Sequence, residues 1–164
     1  MVLYLCAALL PEETELITKL HNQYRLELAL GHVKVKGFSI VSAQNHYALN
    51  YNFKLEQMAQ EHANKCVFMR SSQEKRPNIG ENICVYSTDI MYYRAEAVIK
   101  DCISTWWNKI NFWNPKERVF TVKHYVDNVD QFTAMAWGAA TAIGCGISKC
   151  DDYRVFFVCN YGPR

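Results

Sequence analysis

The sequence predicts an α+β domain in which helices pack on a small antiparallel sheet. Three observations lead there. Apolar residues recur at helical spacing in three separate segments of the first two thirds of the chain. The end differs: residues 142–148 and 155–161 are apolar and partly β-branched, and the polar stretch 149–153 between them is the pattern of a hairpin. No repeat, low-complexity run or linker interrupts the 164 residues, so residues 11–164 read as one domain.

Taken in order, Pro11 with Glu12 and Glu13 opens the first helix, because proline suits a first turn and acids suit the positive helix end. Leu16, Leu20, Tyr24 and Leu28 recur every fourth residue as its apolar face, and Gly31 ends it. Residues 31–50 show no sustained period and read as loop. Asn52 is a favourable cap for the second helix. The inner stripe of that helix is Leu55, Met58, Ala59, His62, Ala63 and Cys66. Residues 70–78 are polar and include Pro77, hence loop, and 82–86 read as a strand. The third helix covers about 93–110, with Ala95, Val98, Cys102 and Trp106 on one face. Residues 111–129 are an aromatic, charged loop broken by Pro115, followed by a short helix near 132–136.

Half of the residues are hydrophobic and 21% are charged, which provides for a core and argues against disorder. A net charge of +2 is too small to indicate nucleic acid or an anionic membrane surface as partner. Residues 1–10, MVLYLCAALL, form an uncharged apolar run too short to span a bilayer, and no later segment is long and apolar enough. The run fits the apolar part of a secretory signal, truncated of its basic start, with Ala7 and Ala8 near a cleavage point. An apolar N-terminal strand is the alternative. Seven cysteines mean disulfides in a secreted protein and metal or redox chemistry in a cytosolic one. If the leader is removed, Cys6 leaves with it and an even number remains. Spacing alone does not choose among the pairings, and a zinc knuckle on Cys145 and Cys150, completed by other cysteines, is the metal-binding alternative.

Several segments resemble one family. They are HNQYR at 21–25, LEQMAQEHANKC at 55–66, GEN at 80–82, DQFTAMAW at 130–137, IGCG at 143–146 and FVCNYGP at 157–163. In this order they are similar to the cysteine-rich secretory, antigen-five and pathogenesis-related-one proteins (the CAP superfamily, SCP domain). The resemblance covers about 12–164, and the CNYGP ending is most similar to venom-allergen-like members of invertebrates. It implies a three-layer α/β/α sandwich with a three- or four-stranded antiparallel sheet between helices, and a secreted, extracellular protein. It also implies the disulfides Cys145–Cys159 and Cys66–Cys150, which leaves Cys84–Cys102.

Many members of that family carry two His and two Glu in a central cleft, a set suited to a divalent metal such as Zn²⁺. Carried over position by position, the first His falls on Arg70 in CVFMRS. The first Glu is kept as Glu81 in GEN. The second Glu falls on Lys109 in WWNK, and the second His on Gln131 in DQFT. Arginine offers no lone pair, and lysine none while protonated. The expectation is therefore no metal and no cofactor, and no histidine base for a hydrolase. A buried carboxylate needs a partner, so Glu81 is expected to pair with Arg70 or Lys109. Among the other histidines, His62 reads as a core residue, His21 as structural, and His32 and His46 as surface. His124 lies in the aromatic loop, from which reaching the cleft rim is the lesser alternative to an ordinary loop position.

The function that follows is a secreted, monomeric binding protein without catalysis. Its partner would be a protein receptor or an apolar small ligand, a sterol or fatty acid. Trp106, Trp107, Phe112 and Trp113 would offer that ligand flat apolar surface at a helix end; otherwise they are core. A metal-assisted hydrolase and a purely structural secreted protein are the alternatives.

Overall fold

The computed structural model describes residues 9–40, 46–114, 129–151 and 153–164, with only the backbone of residue 90. Most of the leader-like run, including Cys6, and also His124 lie outside the described residues.

Helix α1 spans Pro11–Ala29, with the backbone N–H of Leu10 donating to the Glu13 carboxylate at 2.7 Å. Gly31, at φ 72°, turns the chain away. Its buried stripe is Ile17, His21, Arg25 and Leu28, whereas Leu16, Leu20 and Tyr24 flank it half-buried. The apolar face read from sequence is displaced because two of the most buried positions are polar. Within the expected loop lies a two-residue hairpin of β1, Lys34–Val35, and β2, Phe38–Ser39. Lys36 and Gly37 both have positive φ, as such a tight turn requires.

Helix α2, Phe53–Ala63, starts on Asn52, whose side chain accepts from the N–H groups of Lys54 and Leu55. After it come β4, Gly80–Ser87, and α3, Ala95–Asn108, which continues into a tight turn over Lys109–Phe112. The short helix α4 spans Asp130–Met135. Strands β5, Ala142–Lys149, and β6, Arg154–Gly162, form the expected hairpin. The sheet order is β3-β5-β6-β4, where β3 is Asn50–Tyr51. The three long strands are antiparallel, and β3 adds a two-residue parallel contact to β5 that the loop reading of 31–50 did not include.

The sheet lies between two helical layers. Helix α2 covers one face over a small cluster of Ala59, Ala63, Ile83, Phe156 and Val158. Helices α1, α3 and α4 cover the other, over a larger core that includes Ile17, Trp106, Ile143 and Phe157. Cys145 and Cys159 face each other across β5 and β6 and are bonded, Cys84 on β4 is bonded to Cys102 on α3, and Cys66 beyond α2 to Cys150. The last closes 84 residues of chain, which in the chain-entropy account stabilises the fold by about 4–5 kcal/mol.

A polar chain crosses the larger core. His21 Nδ1–H donates to the Ile17 carbonyl at 2.9 Å, which leaves Nε2 to accept from the Tyr161 hydroxyl at 3.0 Å. Asn82 Nδ2 donates to that hydroxyl and to the Gln131 carbonyl. Burial lowers the His21 pKa to about 4, with the Arg25 charge adding to the effect, so the neutral ring is the folded form. Between pH 6.5 and 4 the unfolded chain therefore binds a proton that the folded chain does not. Stability is full above that window and falls as pH falls through it, by up to about 3 kcal/mol. Urea midpoints at pH 7, 5.5 and 4.5 should decline less steeply in His21→Gln than in the wild type. Equal slopes would remove His21 as the cause.

Candidate functional site

The cleft is built from both layers at the free side of β4. Arg70 lies on the segment leaving α2, Glu81 on β4, Lys109 at the end of α3 and Gln131 in the first turn of α4. Arg70, Lys109 and Gln131 line one groove of about 690 Å³, together with Met69 and Trp106. Glu81 is not on it. Glu81 lines a smaller cavity of about 80 Å³, shared with Arg76 and Tyr161, and the Arg70–Asp130 pair borders both spaces. Arg70, Lys109 and Gln131 thus share one groove, and Glu81 shares the adjoining cavity with only Arg70 of the three.

The ion pairing departs from expectation. Glu81 pairs with neither Arg70 nor Lys109. Its Oε1 accepts from the Ser71 N–H and its Oε2 from the Ser71 hydroxyl, each at 2.7 Å. Arg76 Nε lies 3.7 Å from Oε1, and both side chains are buried. Arg76 also donates to the Ser71 and Ile79 carbonyls, so β4 and the preceding turn enclose the carboxylate completely. Arg70 instead forms an ion pair and hydrogen bond with Asp130. Sequence reasoning missed Asp130. The signal was there: Asp130 stands where the family block has glycine, so a new acid accompanies the new base at position 70.

Lys109 is half-buried, with Nζ 5.8 Å from the centre of the Phe112 ring, and it makes no ion pair among the described residues. Gln131 Nε2 donates to the Ile83 carbonyl at 3.3 Å, as does Trp106 Nε1.

The four aromatics do not form one exposed face. Trp106 is 1% exposed and stacks on Phe157 with ring centres 5.4 Å apart. Trp107 is buried between Tyr24 and Phe132. Trp113 packs half-buried against the same core, and Phe112 alone of the four is exposed. Of the two readings the sequence left open, Trp106 and Trp107 thus take the core one.

Of the described histidines, His21, His46 and His62 are engaged in the scaffold. His62 Nε2 lies 2.8 Å from the Met69 carbonyl and His46 Nε2 2.6 Å from that of Ala136, while exposed His32 meets Glu27. His46 is half-buried, not a surface residue, and burial lowers its pKa. Among the described residues no three His, Cys, Asp or Glu side chains converge as metal ligands. The described residues at the four cleft positions therefore do not fit a divalent cation. The one retained ligand already has both oxygens occupied, and the neighbouring positions hold cationic or amide groups.

The chain matches the cysteine-rich secretory protein family (CAP) over residues 18–161. It is 31% identical over 148 residues to the Ancylostoma secreted protein of Ancylostoma caninum, covering 87% of this chain and 34% of that protein. It is 30% identical to venom allergen 5.02 of Dolichovespula maculata, covering 93% of this chain and 71% of the allergen. The chain thus spans about a third of the length of the first relative and most of the second. Among solved structures, BmVAL-1 superposes with a TM-score of 0.86 at 30% identity, covering 94% of this chain and 78% of that one. No described helix is long and apolar enough to cross a membrane.

Proposed function

The chain belongs to the cysteine-rich secretory protein family, and from that premise we propose that it is a secreted binding protein without catalytic activity. One observation carries the reading: the charged groups of the cleft are used up on one another. Glu81 is held by Ser71 and Arg76, and Asp130 by Arg70, so neither carboxylate is left as base, nucleophile or metal ligand. His21 has both ring nitrogens bonded in the core, and His62 is tied to the Met69 carbonyl. Among the described residues, the ionisable group left to meet a ligand in the groove is the cation Lys109.

Secretion is supported by three disulfides, which persist in oxidising compartments. It is supported also by the similarity to a protein named as secreted and to venom allergens. A protein partner suits the surface better than a sterol or fatty acid, because Trp106 and Trp107 are consumed by packing.

Calorimetric titration with Zn²⁺ is expected to show no stoichiometric event below micromolar concentration. The triple variant Arg70→His, Lys109→Glu, Gln131→His should acquire weak zinc affinity, since it supplies ligands to an intact scaffold. A tight single-site event in the wild type that these substitutions alter would overturn the reading.

A further inference from the structure

We propose that the groove beside β4 docks an extended segment of a partner protein, which joins the sheet as an added strand and places an acidic side chain at Lys109. The inference rests on the reading of the cleft as a non-catalytic binding site and specifies its partner.

Strand β4 is the last in the order β3-β5-β6-β4, so among the described residues one of its sides has no strand beside it. The Thr88 N–H donates to the Tyr153 carbonyl across the ladder to β6. By the alternation of an antiparallel pair, the backbone groups of Ile83, Val85 and Ser87 then point away from β6. The Ile83 carbonyl is capped by Trp106 and Gln131, which closes that end. Beyond it, the N–H and C=O groups of Val85 and Ser87 bond to no other element among the described residues. The groove runs along this side, with Ile83, Cys84 and Val85 in its wall. Exposed strand sides are usually shielded by charge, proline or a covering element. Beyond Glu81, β4 holds no proline and no charged residue.

The two walls differ in chemistry. From the α2 layer come Phe68 and Met69, 67% and 69% exposed. From the α3 layer come Thr105 and Lys109. Successive side chains of an added strand point to opposite faces of a sheet. An occupant that fits both walls alternates apolar residues, against Phe68 and Met69, with an acidic residue, toward Lys109. Main-chain bonds to Val85 and Ser87 would supply affinity, and the alternating side chains specificity.

The test is selection of a random heptapeptide display library on the folded protein, followed by fluorescence anisotropy with the selected peptides. Enrichment of an apolar–acidic–apolar pattern is expected. Lys109→Glu should weaken binding at least tenfold. Val85→Pro should do the same, because it removes an outward N–H while leaving the ladder to β6. N-methylation of alternate peptide amides should abolish binding, and that arm holds even where Val85→Pro fails to fold. Absence of enrichment, or equal binding of the N-methylated peptides, overturns the proposal. So does concentration-dependent self-association through β4, which would make a second copy the occupant, or Lys109-dependent binding of a dansyl fatty acid with no peptide bound. Zinc titration stays silent in all of these outcomes, so they leave the non-catalytic reading standing, whereas tight zinc binding strikes that reading first.

Discussion

Gly144→Ala is expected to destabilise the protein by about 3 kcal/mol or more, lowering the melting temperature by about 6–12 °C. A Cβ at this position would lie 2.1 Å from the Glu56 amide nitrogen and 2.5 Å from the Asn52 carbonyl oxygen. Both are backbone atoms of the α2 start, which the Asn52 cap holds in place. Neither can rotate aside as a side-chain tip would. Two residues along the same face, a Cβ on Gly146 would meet the Gln60 Cα at 2.4 Å. The IGCG motif is thereby explained: its glycines let a helix lie directly on a strand, while its cysteine points to the other face and bonds Cys159. Gln60 secures the contact by donating to the Ile147 carbonyl and accepting from its N–H. Gly80→Ala is the control, since its nearest neighbour is at 3.7 Å, an ordinary contact. Thermal unfolding with the disulfides intact separates the two; equal stability would disprove the close approach of α2 to β5.

Arg25→Ala should cost about 4 kcal/mol. The guanidinium is 2% exposed and is bound by carbonyls alone. Nε and Nη2 donate to Tyr47, Nη1 to Met135 and Trp137, and Nη2 also to Ala140. Burial lowers its pKa to about 10, so it is still charged at neutral pH. Truncation leaves several buried acceptors without donors, at about 1–3 kcal/mol each before relaxation. Arg25→Lys should recover less than half of the loss, because an ammonium on a flexible stem cannot span carbonyls that the planar fork reaches together. Urea unfolding of both variants measures this, and a lysine variant as stable as the wild type would show the fork to be dispensable. Met135 and Trp137 flank the end of α4, the helix that carries Asp130 and Gln131. The same substitution should therefore loosen the cleft as well as the core.

Local signals in the sequence carried most of the architecture. The Asn52 cap, the periods of the second and third helices and the polar break at 149–153 depend on residues within a few positions of one another. Each could be read without knowing what lay opposite. The family motifs added the order of layers, since residues such as Asn22 serve the scaffold: its side chain exchanges hydrogen bonds with the Leu49 backbone. The same motifs place Arg70, Lys109 and Gln131 where many family members carry metal ligands, and the chemistry of these side chains sets the expectation of no metal.

Partnerships were another matter. Arg70 meets Asp130 across 60 residues of sequence, and His21 meets Tyr161 across 140. A periodicity that counts apolar residues passes over a stripe whose centre is His21 and Arg25. The choice of Ser71 and Arg76 as holders of Glu81, and the burial of Trp106 and Trp107, depended on how the layers pack. The open side of β4 exists only once strand order is known, because an outer strand has the same apolar alternation as an inner one. Local patterns thus determined the elements, and the family motifs the expectation that positions 70, 109 and 131 supply no metal ligands. Long-range packing alone decided which charges neutralise one another and which backbone groups of β4 bond to no other element among the described residues.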